Sequence, residues 1–138
     1  MIRTYIDSGV LVAAARGNGR LFERAIAIIR DTAAREFVCS DYVKMEIIPK
    51  PTYFGRQAEL DFYDAFFATV SVWFNFDATH MQQGFTEACQ SGLQALDSVH
   101  IILASLSGCD EVVTTEKPES AFHRTTLVRT VSIDTEEE

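Results

Sequence analysis

Apolar residues along this chain follow two rhythms, short continuous runs and longer stretches that repeat at steps of three and four. The runs at 2–6, 36–39, 71–76 and 111–114 are rich in β-branched and aromatic residues and read as strands, and 125–133 also has β character. After the first run, Ser8 or Asp7 can cap a helix extending through Ala15. Gly17-Asn18-Gly19 breaks it, and Phe22, Ala25, Ile26, Ile29 and Ala33 then mark an amphipathic helix. Ser40 or Asp41 caps a short helix carrying Val43, Glu46 and Ile47, which Pro49 and Pro51 are expected to stop. Over 57–70 the residues Leu60, Tyr63, Phe66, Phe67 and Val70 share a helical face, and over 79–93 Met81, Phe85, Ala88 and Gly92 do the same. A nearly uninterrupted apolar helix fills 95–106, the turn Ser107-Gly108-Cys109-Asp110 ends it, and Pro118 marks a further turn.

Strands alternating with helices, with runs too continuous for a sheet that keeps one face wet, predict an α/β fold around a mainly parallel sheet. In such sheets the functional crevice lies beyond the carboxyl ends of the strands, where this pattern puts Asp7 and the segment 114–116. The 138 residues suffice for one core, and neither a repeat nor a linker interrupts them. The expected organisation is a single domain over 1–133 followed by an acidic tail, 134–138.

Composition narrows the classes. With 47% hydrophobic and 23% charged residues the chain is globular rather than disordered. No apolar run approaches membrane-spanning length, and Met1-Ile2-Arg3 leads directly into a strand instead of a signal peptide, so a soluble cytoplasmic protein with no membrane partner is expected. Cys39, Cys89 and Cys109 are odd in number and widely spaced, which argues for small buried side chains over a disulfide framework or a zinc site. A net charge of -8 would disfavour a nucleic-acid partner. Setting aside Asp7, Glu46, Asp97, Glu116 and the terminal Glu136, Glu137 and Glu138 leaves thirteen acids against twelve bases, a nearly balanced surface.

Those first four acids are the candidate chemistry. Asp7 follows the first strand, Asp97 opens the apolar helix where the helix dipole favours an anion, Glu46 leaves the edge of a buried helical face, and Glu116 follows the fourth strand. Singly, each has a bland role as a cap, a solvated helix residue or a turn residue. Together they would repel unless a cation neutralised them. Oxygen ligands without His or Cys at ligand spacing favour Mg²⁺ or Mn²⁺, and phosphodiester hydrolysis is the reaction such ions serve. Thr114 adds a hydroxyl beside the site.

The order Tyr5-Ile6-Asp7-Ser8, Glu46 in the helix after the second strand, Leu96-Asp97-Ser98-Val99-His100 and Val113-Thr114-Thr115-Glu116-Lys117 resembles the PIN-domain nucleases, in particular the compact VapC-like toxins. The resemblance spans roughly residues 2–131. It implies a three-layer α/β/α sandwich with a mainly parallel sheet of four or five strands, usually as a homodimer. It also implies that Asp7, Glu46 and Asp97 are the core metal-binding acids, with Thr114 and Glu116 in the family's Thr/Ser-x-acid motif. The family more often has Asp where this chain has Glu116, and the longer side chain is expected to reach the metal through water. The function so implied is a Mg²⁺- or Mn²⁺-dependent endoribonuclease acting as the toxin of a type II toxin–antitoxin pair, with RNA as substrate and a cognate antitoxin as partner.

Two other functions use the same residues differently. A catalytically weak PIN-like module that binds RNA or protein would suit the Glu116 departure and the acidic surface. A receiver-type phosphoacceptor would need paired acids near the first strand's end and an Asp on the third, for which Asp77 is a poor match. His100, one turn after Asp97, reads as an interior or edge histidine rather than a general base. His80 and His123 have no partner at ligand spacing. His123, Arg124 and Lys117 could touch phosphates, while Arg16, Arg20 and Arg24 read as a solvated helix face. The run Phe54, Phe62, Tyr63, Phe66, Phe67, Trp73, Phe74 and Phe76 exceeds what a small core needs, leaving an apolar patch for a dimer or antitoxin interface.

Overall fold

A computed structural model of the chain describes residues 1–136. Five parallel strands form one sheet: β1 (Ile2–Ile6), β2 (Arg35–Cys39), β3 (Val70–Trp73), β4 (Glu111–Thr114) and β5 (Arg129–Ser132). Their order is β3-β2-β1-β4-β5. The chain therefore builds outward from β1 through β2 and β3, then returns to the other side of β1 for β4 and β5. That reversal opens a crevice between the carboxyl ends of β1 and β4, the place where ligands bind in open parallel sheets.

Among the described residues seven α-helices cover the sheet: α1 (Ser8–Arg16), α2 (Gly19–Ile29), α3 (Asp41–Ile47), α4 (Pro49–Tyr53), α5 (Gln57–Phe67), α6 (Met81–Ser91) and α7 (Ala95–Leu106). Helix α1 packs against α2, α3 and α5, while α6 packs against α7. The result is the expected three-layer α/β/α sandwich. Its core holds Tyr5, Ile6, Phe37, Val38, Val112 and Val113 from the sheet, with Leu11, Tyr63, Ile101 and Leu103 from the helices. Strand β4 is buried along its whole length, as a central parallel strand must be.

Several element boundaries differ from the sequence expectation, each for a local reason. Ala33 lies outside α2, in a turn where the Asp31 carboxylate accepts from the Ala34 N–H (3.3 Å) and pairs with Arg35 (2.8 Å). Pro49 does not simply end a helix. It occupies the first turn of α4, where a missing N–H is harmless. Val70 begins β3 instead of finishing α5, and β3 stops at Trp73 rather than at Phe76. The 79–93 helix is a single 3₁₀ turn over Ala78–His80 followed by α6, which Gly92 closes in the left-handed region (φ 67°).

Helix α6 also turns an unexpected face inward. Met81 and Phe85 are 62% and 66% exposed, and Gly84, Glu87 and Ser91 are buried instead. Glu87 accepts from Ser91 Oγ (3.1 Å) and Thr125 Oγ1 (2.8 Å), so a polar anchor sets the helix rotation. At the carboxyl end, Arg24 donates to the carbonyls of Ile133 (3.0 Å) and Thr135 (2.6 Å). Of the expected acidic tail 134–138, Glu137 and Glu138 lie outside the described residues. No helix among the described residues is long and apolar enough to cross a membrane.

Candidate metal centre

Asp7 is the first residue past β1, and its backbone N–H still donates to Val113 O (3.0 Å), so the carboxylate emerges at the β1–β4 crevice. It is also the N-cap of α1: Oδ1 accepts from the Ser8 N–H at 2.9 Å. Oδ2 accepts from the buried hydroxyl of Thr114, the last residue of β4, at 2.8 Å. The same Thr114 oxygen accepts from the backbone N–H of Glu116 at 3.1 Å. One hydroxyl therefore ties Asp7 to the loop carrying Glu116. Gly9 lets that loop approach α1, because a Cβ there would collide with Thr115 Oγ1.

Glu46 reaches the crevice from α3. Its Oε1 lies 2.5 Å from His100 Nε2, His100 Nδ1 lies 2.6 Å from the Tyr5 hydroxyl, and that hydroxyl lies 2.8 Å from Ser40 Oγ. Tyr5, Ser40 and His100 are almost wholly buried, at 0%, 0% and 1% exposure. One ligand atom each from Asp7, Glu46 and His100 fall within 4.8 Å of one another. His100 is thus the interior histidine that its helix implied, and it also stands at the acid cluster. Its position three residues after Asp97 put both on one helical face; the contact with Glu46 needs the tertiary fold and has no sequence signal.

Asp97 sits in the first turn of α7, but it is not the cap; that place belongs to Gln94, without a side-chain bond. Among the described residues no side chain or backbone group hydrogen-bonds or ion-pairs with the Asp97 carboxylate. Burial, then the charges of Asp7 and Glu116, push its pKa up to about 6. Glu116 follows β4. Its Oε2 accepts from Ser120 Oγ (3.1 Å), and His123 steadies the loop between Thr130 Oγ1 (2.6 Å) and Glu116 O (3.1 Å). Asp97 and Glu116 lie outside the tight Asp7–Glu46–His100 cluster, yet Asp97 feels the charges of Asp7, Glu116 and Glu46.

The electrostatics are those of a site short of positive charge. Burial raises the Asp7 carboxyl, and Glu46 adds to the rise while His100 and Thr114 oppose it. Burial disfavours the His100 cation, but the Glu46 hydrogen bond and the charges of Asp7, Glu46 and Asp97 outweigh it and raise its pKa. No lysine or arginine among the described residues pairs with any of the four acids. Converging carboxylates without a lysine or arginine partner fit a hard divalent cation.

No family model matches the chain, and no curated protein matches it. Solved structures do. DNA-bound VapBC from Salmonella typhimurium is 19% identical over 96% of this chain and 99% of that one, with a TM-score of 0.72. VapBC2 from Rickettsia felis, bound to a DNA fragment from its promoter, is 14% identical over 95% and 98%, with a TM-score of 0.71. FitAcB from Neisseria gonorrhoeae is 16% identical over 94% and 97%, with a TM-score of 0.62. At these identities the likeness is one of fold, and the chain is built as a VapC-like, PIN-type α/β/α sandwich.

Proposed function

We propose that this protein is a divalent-metal-dependent endoribonuclease and the toxin of a type II toxin–antitoxin pair. The observation that carries the reading is Asp97: a half-buried carboxylate with no hydrogen-bond or ion-pair partner among the described residues, its pKa raised beside two further acids. Structural carboxylates are tied down by donors, whereas one left unpaired among like charges is kept for a ligand.

Asp7, Glu46 and Asp97 would hold Mg²⁺ or Mn²⁺ directly, and Glu116 through water. A bound ion would supply charge for the scissile phosphate and a more acidic water for the attack. The chain's own residues prepare the place. Thr114 fixes Asp7 through Oδ2, Ser120 holds one oxygen of Glu116, and the Glu46 carboxylate is oriented from the protein side. The neighbouring VapBC structures support the partner: both are bound to DNA, one of them to a fragment of its own promoter. A cognate antitoxin, a homodimer and a cytoplasmic location belong to the same reading. Exposed Met45 on α3 and Tyr53 and Phe54 at the end of α4 supply apolar surface for such contacts.

The test is cleavage of a structured RNA by the purified protein with Mn²⁺, with Mg²⁺ and with EDTA, alongside Asp97→Asn. Metal-dependent cleavage that the variant loses by at least about a hundredfold supports the reading. Undiminished cleavage by the variant would sink it, and RNA binding without metal uptake would favour the catalytically weak module instead.

A further inference from the structure

We propose that His100 is a positioning residue for Glu46, not a metal ligand: with Tyr5 and Ser40 behind it, it fixes one oxygen of Glu46 and so presents the other to the cation. This rests on the metal-dependent reading above and specifies how one acid of that site is held.

The chemistry of the contact decides the donor. A carboxylate only accepts, so the 2.5 Å contact with Oε1 makes His100 Nε2 an N–H. A nitrogen that carries a proton has no lone pair for a metal. The other nitrogen, Nδ1, is occupied by the Tyr5 hydroxyl at 2.6 Å. Whether that phenol donates to Nδ1 or to Ser40 Oγ, Nε2 stays the donor to Glu46. Oε2 of Glu46 makes no hydrogen bond among the described residues and is the oxygen left for a ligand.

Glu46 needs such a clamp more than the other acids do. Asp7 has two donors from its own neighbourhood, Ser8 and Thr114, and Asp97 stands in the first turn of a twelve-residue helix. Glu46 projects from the seven-residue α3 with 28% of its side chain exposed and three rotatable bonds to order. His100 is 1% exposed and Tyr5 is fully buried, so the clamp is anchored in the core between β1 and α7. Partners that orient a ligand from behind typically contribute ten- to a hundredfold in metal affinity.

The experiment measures Mn²⁺ affinity by isothermal titration for the full chain and for His100→Leu, His100→Gln and Tyr5→Phe, with thermal melts to establish that each is folded. Leu keeps the volume and removes the donor; Gln keeps a terminal N–H₂ that can reach Glu46. His100→Leu is expected to bind Mn²⁺ about ten- to a hundredfold more weakly, Tyr5→Phe about threefold more weakly, and His100→Gln within about threefold of the parent. If the Leu variant does not fold, the Gln and Phe variants carry the test, and a Gln variant as weak as Glu46→Ala would overturn the proposal. Pulsed EPR on the Mn²⁺-loaded parent separates the clamp from direct ligation by His100: no directly bound nitrogen is expected. A nitrogen coupling of that kind, or a folded Leu variant with parental affinity, refutes the clamp while leaving the metal-dependent reading intact. A parent protein that binds no Mn²⁺ overturns both.

Discussion

The half-buried carboxyl of Asp97, its pKa raised to about 6, lowers the stability of the fold at neutral pH. Its carboxyl has an unfolded value near 3.8 and a folded value of about 6, so between those pH values the folded chain binds more protons than the unfolded one. Below pH 3.8 the group is protonated in both states and carries no penalty. As pH rises toward 6 the unfolded state ionises first, stability falls, and above 6 the loss is constant. Because the side chain is only about half buried, solvent screening cuts the penalty to about 1 kcal/mol. In EDTA at pH 7.5, Asp97→Asn is therefore expected to melt about 3–4 °C above the parent, with the gap closing near pH 4. Thermal melts at the two pH values check this, and a variant less stable than the parent at pH 7.5 would refute it. Adding Mn²⁺ should reverse the order, since only the parent gains from binding.

Thr114 makes the complementary case. Its hydroxyl donates to Asp7 and accepts from Glu116 N–H, so Thr114→Val preserves shape while leaving Asp7 Oδ2 and the Glu116 N–H without this partner. The expected loss is about 1–3 kcal/mol in urea unfolding together with at least about tenfold weaker Mn²⁺ binding. A stability loss with unchanged metal affinity would reduce Thr114 to a structural tie.

Among the elements, β1, β4 and α7 were legible because the two strands are mostly β-branched and the helix mostly apolar, and each delivers an acid at its end or in its first turn. The sheet order was not legible, since nothing local tells β4 to return beside β1. Helix α6 was misread for a different reason. Its stripe of Met81, Phe85 and Ala88 has the spacing of a core face, yet the helix is rotated by Glu87, a residue whose charge reads as solvent-facing. Periodicity registers apolar area but not a hydrogen bond made to a residue 38 positions away. The measurable consequence inverts the usual ranking: Glu87→Ala, which strands the Ser91 and Thr125 hydroxyls, should cost about 1–3 kcal/mol, and Phe85→Ser less than about 0.5 kcal/mol. Chemical denaturation of the two variants decides between this rotation of α6 and the one its apolar stripe suggests.

For the whole molecule, charge sets how the proposed RNA substrate would be held. The chain carries -8 with twelve Lys and Arg residues, and not all of those are available. Arg3, Arg16 and Arg35 already pair with Glu36, Glu59, and Asp31 with Glu111, while Arg24 grips the carbonyls of Ile133 and Thr135. Lys44 lies over the rings of Trp73 and Phe67, at 4.5 and 5.4 Å from their centroids. The seven others stand against a net charge of -8, so on the proposed reading metal in the β1–β4 crevice supplies much of the attraction. Binding of a non-cleavable single-stranded RNA should then be lost in EDTA and, with Mn²⁺ present, fall only gently with salt. At about 0.7 per phosphate neutralised, two or three contacts give a log–log slope no steeper than about -2. Fluorescence anisotropy across a salt series reads that slope directly. A slope near -5, or full binding without metal, would mean that the RNA is held by a basic surface away from the four acids, and the crevice would lose its claim to the substrate.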